Sequence, residues 1–151
     1  MIHSVELRGQ KNQKIKEGNW PDLKTVLIFN FQKQNGQIHY SIRFLSLNKK
    51  LEFDSKNFIL FLQPINELEN LREKLQTFLK SEHKQFRFEP AEPNFELILE
   101  KDDFDGFKLY CWIDNGNADF AHYTWDSIGL RLYIEKNDLQ DFINNIPEFN
   151  L

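Results

Sequence analysis

Alternation of apolar and polar residues in the second half of this chain constrains the fold more than any other feature. Three successive segments carry an apolar residue at every second position, which is typical of strands with one buried face. The apolar positions are Phe95, Leu97 and Leu99, then Phe107, Leu109, Cys111 and Ile113, then Ile128, Leu130, Leu132 and Ile134. Asp105-Gly106 supplies a turn between the first two segments. The pattern predicts an antiparallel sheet.

The first half of the chain repeats this theme around a strong turn signal. Asn35-Gly36 separates the β-rich residues 26–31 from a second alternating segment, and Asn-Gly in that position predicts a hairpin. Alternation of His3, Val5 and Leu7 with polar neighbours predicts a first strand. Residues 58–62 are apolar on both faces and predict an inner strand.

Each group of strands precedes a helical pattern. Asn66 with Glu69, and Asn137 with Gln140, have the spacing of capping boxes, and Pro147 ends the second helix. The apolar faces are Leu68, Leu71, Leu75, Phe78 and Leu79 in the first helix, and Leu139, Phe142, Ile143 and Ile146 in the second. The repeat fits either two strand–strand–helix units or two ordinary capped helices. We predict one α+β domain over residues 1–151, with antiparallel sheet and two helices packed on one side.

Charge is distributed unevenly along the chain, although the net charge is only −4. Residues 89–126 carry ten Asp and Glu against two Lys, a net −8, whereas residues 1–87 carry a net +6. The acidic stretch is either a set of solvated loops or a surface that attracts a basic protein. It argues against nucleic acid as the partner of that half, because phosphates repel carboxylates.

Several functional classes are disfavoured by the sequence. No apolar run approaches the roughly 20 residues that span a bilayer, and the first residues do not resemble a signal peptide. The single cysteine, Cys111, favours a reducing cytoplasm, and its place on an apolar strand face favours packing over nucleophilic catalysis. The four histidines lack metal-ligand spacing, and no catalytic motif is present. The sequence therefore predicts that the protein binds no metal or cofactor and is not an enzyme. Acid–base catalysis by a pair of carboxylates is the alternative that the sequence leaves open.

Aromatic residues on the polar side of the strands suggest a contact surface. Tyr110, Trp112 and Tyr133 lie opposite the apolar stripes, and residues 120–126 add further aromatics. These side chains either form an interface beside the acids or cover a second core layer. The predicted partner-binding residues are Asp102, Asp103, Asp105, Tyr110, Trp112, Asp119, Tyr123, Trp125 and Asp126.

Three motifs in residues 86–146 resemble segments of the WapI-like immunity proteins. They are residues 88–97 (FEPAEPNFEL), 109–114 (LYCWID) and 129–134 (GLRLYI), followed by the closing helix. The resemblance implies a cytoplasmic antidote that binds the C-terminal domain of a polymorphic toxin, often a nuclease, and blocks it. The family offers no catalytic residue to carry over. The alternatives are a carboxylate-dependent hydrolase or ligand-binding protein with an aromatic cleft, and a general interaction adaptor.

Overall fold

The computed structural model describes residues 2–8, 25–46, 52–54, 59–61, 67–90, 95–103, 105–114 and 127–149. These residues form two antiparallel sheets and two helices, which confirms the predicted α+β class. Sheet A contains β1 (Ile2–Arg8), β2 (Thr25–Gln34), β3 (Gln37–Ser46), β4 (Glu52–Asp54) and β5 (Ile59–Phe61), and α1 (Glu67–Lys80) follows it. Sheet B contains β6 (Gln85–Phe88), β7 (Phe95–Lys101), β8 (Gly106–Asp114) and β9 (Ser127–Glu135), and α2 (Lys136–Asn145) follows it.

The predicted Asn-Gly hairpin joins β2 to β3. Asn35 has φ 50° and Gly36 has φ 75°, so both central residues adopt positive φ, as a type I′ turn requires. The turn places Gln34 opposite Gln37 and thereby sets the register along both ten-residue strands. That register puts the alternating apolar residues of β3 into the core.

Neighbouring strands of each sheet are mostly consecutive in the chain. Sheet B has the order β6-β7-β8-β9, and sheet A begins with β1-β2-β3. Both β4 and β5 pair with β3, β4 near its end and β5 near its start. The sequence predicted an inner strand at residues 58–62. Among the described strands, however, β5 pairs only with β3, and β4 pairs with a later part of that strand.

One hydrophobic core joins the two sheets and both helices. The ring centroid of Phe29 in β2 lies 5.7 Å from that of Phe95 in β7 and 5.7 Å from that of Phe142 in α2. Tyr40 in β3 also packs edge-on against Phe95, at 5.2 Å between centroids. Cys111 is fully buried in this core, as its place on the apolar face predicts. The aromatic contacts therefore hold the two sheets together.

The helices have the predicted apolar faces, but α2 begins differently. The sequence placed its N-cap at Asn137 with Gln140 as the partner, and this prediction is wrong. The N-cap is Glu135, whose backbone N–H donates to Asp138 Oδ2 at 2.9 Å. The Asp138 carboxylate lies three residues beyond Glu135 and satisfies that N–H, so the helix starts directly at the end of β9. The predicted cap Asn66 lies outside the described residues.

Candidate interaction surface

One face of sheet B points away from the core and carries aromatic and charged side chains. We call this face the outer face. Strand pairing sets Arg87, Ile98, Tyr110 and Arg131 in one row across the four strands, and Glu96, Trp112 and Gly129 in the next. A third row contains Gln85, Glu100, Lys108 and Tyr133. The opposite face buries the predicted apolar stripes of β7 and β8 and, in β9, Leu132 and Ile134, whereas Leu130 is partly buried and Ile128 is exposed. Alternation along the strands therefore creates the outer face.

Trp112 is the most prominent apolar residue of the outer face, because 40% of it remains exposed. Its indole lies against the backbone of Gly129, the residue opposite it on β9. A Cβ atom at Gly129 would lie only 2.5 Å from Trp112 Cζ3 and 2.7 Å from Cδ2. The missing side chain of Gly129 thus makes the space in which the indole rests, and the ring is held in place before any partner arrives.

Tyr133 makes a similar contact near the β7–β8 turn. Its ring lies where a Cβ of Gly106 would be, with Cε1 3.1 Å from that position. A hydrogen bond with the Asp102 carboxylate is the largest cause that raises the pKa of Tyr133, to about 12. Asp102 Oδ1 also accepts the N–H of Gly106 at 2.9 Å, and the Asp102 N–H donates to the Gly106 carbonyl at 3.0 Å. Asp102 therefore organises the turn and fixes Tyr133.

A cluster of two carboxyl groups and one guanidinium lies at the β6 side of sheet B. Arg87 Nη2 donates to Glu89 Oε1 at 3.0 Å, and Arg87 Nε donates to Glu96 Oε2 at 3.0 Å. Burial and a hydrogen bond with Glu89 raise the pKa of Glu96, whereas that hydrogen bond lowers the pKa of Glu89. Glu96 is therefore the carboxyl group that holds a shared proton more readily. Because Arg87 is largely exposed, the cluster lies in contact with solvent.

The predicted contact residues that the structure describes do not form one cluster. Trp112 lies towards the end of β8, whereas Asp103 and Asp105 are exposed in the turn that precedes it. At about 3.4 Å per residue, the turn and Trp112 are roughly 20 Å apart along the strand. Tyr110 is half-buried between them, and the half-buried Asp102 has the structural contacts given above. The predicted residues Asp119, Tyr123, Trp125 and Asp126 lie outside the described residues.

The described residues of the outer face carry charges of both signs, so this face is not the uniformly acidic surface that was one of the two interpretations of the acidic stretch. Arg87, Lys108 and Arg131 come from three strands and lie among the carboxylates, two of them from outside residues 89–126. The net charge of residues 89–126 does not include Arg87 and Arg131, because strand pairing brings these two side chains in from outside that stretch. In the sequence, Arg131 stands at a polar position of the β9 alternation, which indicates that it lies on this face. The lone glycine in that strand, Gly129, indicates a close backbone contact, which Trp112 makes.

Two further findings bear on the possible functions. Within the described residues, no group of three His, Cys, Asp and Glu side chains is positioned to hold a metal ion. No helix among the same residues combines the length and apolar character needed to cross a bilayer.

Comparison with protein-family models, with curated proteins and with solved structures finds no match for this chain. The resemblance to the WapI-like immunity proteins therefore stays a prediction from the sequence motifs.

Proposed function

We propose that this protein is a cytoplasmic immunity protein that binds a polymorphic toxin domain in a one-to-one complex and blocks it without catalysing a reaction. The outer face of sheet B, with Trp112 and Tyr110 on its inner strand β8, is the proposed contact surface. The observation that carries the proposal is the exposed Trp112, held against Gly129 on the outer face of sheet B. The motif resemblance supplies the class of partner.

An aromatic residue fixed on a strand suits a binding protein. Tryptophan and arginine are enriched among the residues that dominate interface energies, and a ring already in position loses little freedom on binding. Trp112 faces Glu96 and Gly129 in its row, and the next row presents Arg87 and Arg131. This combination offers an apolar anchor surrounded by charges of both signs, which favours selection of one partner over others.

The acids of the β7–β8 turn have a separate proposed role in association. Asp103 and Asp105 are exposed at one end of the outer face. A toxin nuclease is expected to be basic because it binds phosphates, so exposed carboxylates accelerate encounter with it. Replacing Asp103 with lysine should slow association, and the effect should be largest at low ionic strength.

The decisive experiment uses the product of a neighbouring toxin gene. Co-expression should yield a complex, titration calorimetry should give one toxin domain per chain, and the protein should protect cells that express the toxin. An absence of both binding and protection for every adjacent toxin would refute the proposal.

Two matched variants locate the surface. Trp112 and Ile128 are 40% and 41% exposed, and the register places them on opposite faces of sheet B. About 100 Å² of indole remains for a partner to cover if a full side chain offers roughly 250 Å². At about 25 cal/mol per Å², Trp112→Ala should cost about 2.5 kcal/mol, or roughly 60-fold in Kd. Ile128→Ala should leave Kd unchanged, and equal losses would contradict the assignment of the face.

A carboxylate-dependent hydrolase is a second candidate, because the pKa values of Glu89 and Glu96 are shifted in opposite directions. Such a pair can divide acid and base roles. Its position on an open sheet face beside Arg87 favours a structural ion-pair cluster. Turnover of a small molecule that disappears in Glu96→Gln would favour the hydrolase. If the protein were instead a general adaptor, the third interpretation, it would bind stably to proteins with no toxin activity.

A further inference from the structure

An open groove of about 610 Å³ runs along β1, on elements that the proposed toxin-binding face does not use. One wall is the strand, with Ile2, His3, Ser4, Val5 and Glu6, and the other is α2, with Asp138, Asp141 and Asn145. The strand side consists of five consecutive residues. Because side chains alternate between the faces of a strand, a run of consecutive residues means that the strand's edge lines the groove.

The edge of β1 that faces the groove is suited to main-chain hydrogen bonding. Among the described strands, β1 has β2 as its one hydrogen-bonded neighbour, so it ends the order of sheet A. The edge of a sheet presents N–H and C=O groups that can pair with an added strand. The helix wall is equally regular, because positions 138, 141 and 145 of α2 lie on one side of the helix.

We propose that this groove binds an extended peptide segment rich in lysine or arginine, which adds to sheet A as a strand beside β1. Glu6 approaches the segment from the strand, and Asp138 and Asp141 approach it from the helix. The three carboxyl groups favour a basic occupant, and the described residues that line the groove include no lysine or arginine. A second copy of this chain is disfavoured there, because pairing of two β1 edges would bring two acidic grooves together.

Both walls of the groove are fixed by contacts within the protein. On the strand, Ser4 Oγ donates to Asn30 Oδ1 of β2 at 2.6 Å. The ring of His3 packs edge-on against Phe149, with 5.3 Å between centroids. On the helix, Asp138 accepts the Glu135 N–H and thereby anchors the first turn. A groove with fixed walls leaves only the peptide to be ordered on binding, which lowers the entropic cost.

The length of the groove determines the length of the peptide used to test it. Five strand residues extend over roughly 17 Å, so a segment of five or six residues fills the groove. The test uses a fluorescein-labelled hexapeptide of alternating lysine and valine, the wild-type chain and fluorescence anisotropy. We expect saturable binding, and no binding of the matched peptide in which glutamate replaces lysine. Absence of saturable binding by the lysine peptide would overturn the proposal.

Backbone methylation separates strand addition from charge attraction. In an antiparallel pair, alternate residues direct their N–H groups towards the neighbouring strand. Of two peptides methylated at alternate sets of amide nitrogens, one should bind at least about tenfold more weakly and the other nearly as well as the parent. If both bind like the parent, only charge is involved and the strand-addition model fails.

A pair of charge-reversal variants locates the site. Asp141 lines the groove, and Glu73 is an exposed acid on α1 outside it. Asp141→Lys and Glu73→Lys change the net charge equally, so non-specific attraction falls equally in both. We expect Asp141→Lys to weaken peptide binding about fivefold and Glu73→Lys to weaken it less than about twofold. Equal losses in the two variants would contradict this location.

Discussion

Replacement of Gly129 by alanine tests whether Trp112 is held by the glycine opposite it. The new Cβ would lie 2.5 Å from Trp112 Cζ3, far inside normal contact, and the exposed indole is the part that can move. If the side chain offers roughly 250 Å², its neighbours cover about 150 Å². Exposing half of that covered area costs about 2 kcal/mol at about 25 cal/mol per Å².

The backbone contributes with the opposite sign. Alanine in a strand is favoured over glycine by roughly 0.5–1 kcal/mol. Gly129→Ala should therefore destabilise the protein by about 1 kcal/mol. The same substitution in a Trp112→Ala background should stabilise it slightly, because nothing then occupies the space. The two results together predict a coupling free energy of about 2 kcal/mol between positions 112 and 129.

The assay is urea unfolding of four proteins: wild type, the two single variants and the double variant. Far-ultraviolet circular dichroism is the suitable signal, since the cycle removes a tryptophan from two of the four. Unfolding slopes should agree across the set, so that free energies can be compared. If Gly129→Ala has the same effect with and without Trp112, the indole does not rest on Gly129, and the argument for a fixed binding anchor fails.

Three further results are expected. Gly36→Ala should lower the unfolding free energy by about 1 kcal/mol through backbone strain alone, since φ is 75° and no atom lies within 4 Å of the new Cβ. An unchanged urea midpoint would contradict the type I′ turn. Cys111 should react with a thiol reagent only after unfolding, because complete burial raises its pKa, and rapid modification of the folded protein would show otherwise. The pKa of Tyr133 is raised in the folded protein, so its contribution to the free energy of unfolding should be complete below pH 10 and disappear as the pH rises towards 12. With solvent screening, the free energy of unfolding should fall by about 1 kcal/mol over this range. Tyr133→Phe should remove that pH dependence.

Local patterns in the sequence predicted most of the fold. The period-two segments became β7, β8 and β9, and the Asn-Gly turn became the β2–β3 hairpin. Both helices have their predicted apolar faces. These features depend on neighbours within a few residues, so a single chain displays them. The start of α2 was mispredicted because Glu135 with Asp138 and Asn137 with Gln140 have the same three-residue spacing, and spacing alone did not distinguish the two pairs.

Features that depend on strand pairing were beyond the same reasoning. Arg131 lies beside Tyr110, and Arg87 bonds Glu96, only because separate strands align in one register. The acidic stretch therefore looked like an acidic surface in the sequence, whereas the sheet mixes it with cations. The β1–α2 groove has the same origin, because its walls come from opposite ends of the described chain.

The position of Phe29 has a consequence for folding. This ring touches the second sheet and the last helix at once, so neither half of the chain completes its core by itself. Unfolding should accordingly be cooperative across both sheets, without a stable intermediate that retains one of them. A chain cut between α1 and β6 would give two fragments with exposed phenyl rings, each supplying the surface that the other lacks. Such fragments are natural candidates for complementation, in which the folded structure forms only when both are present.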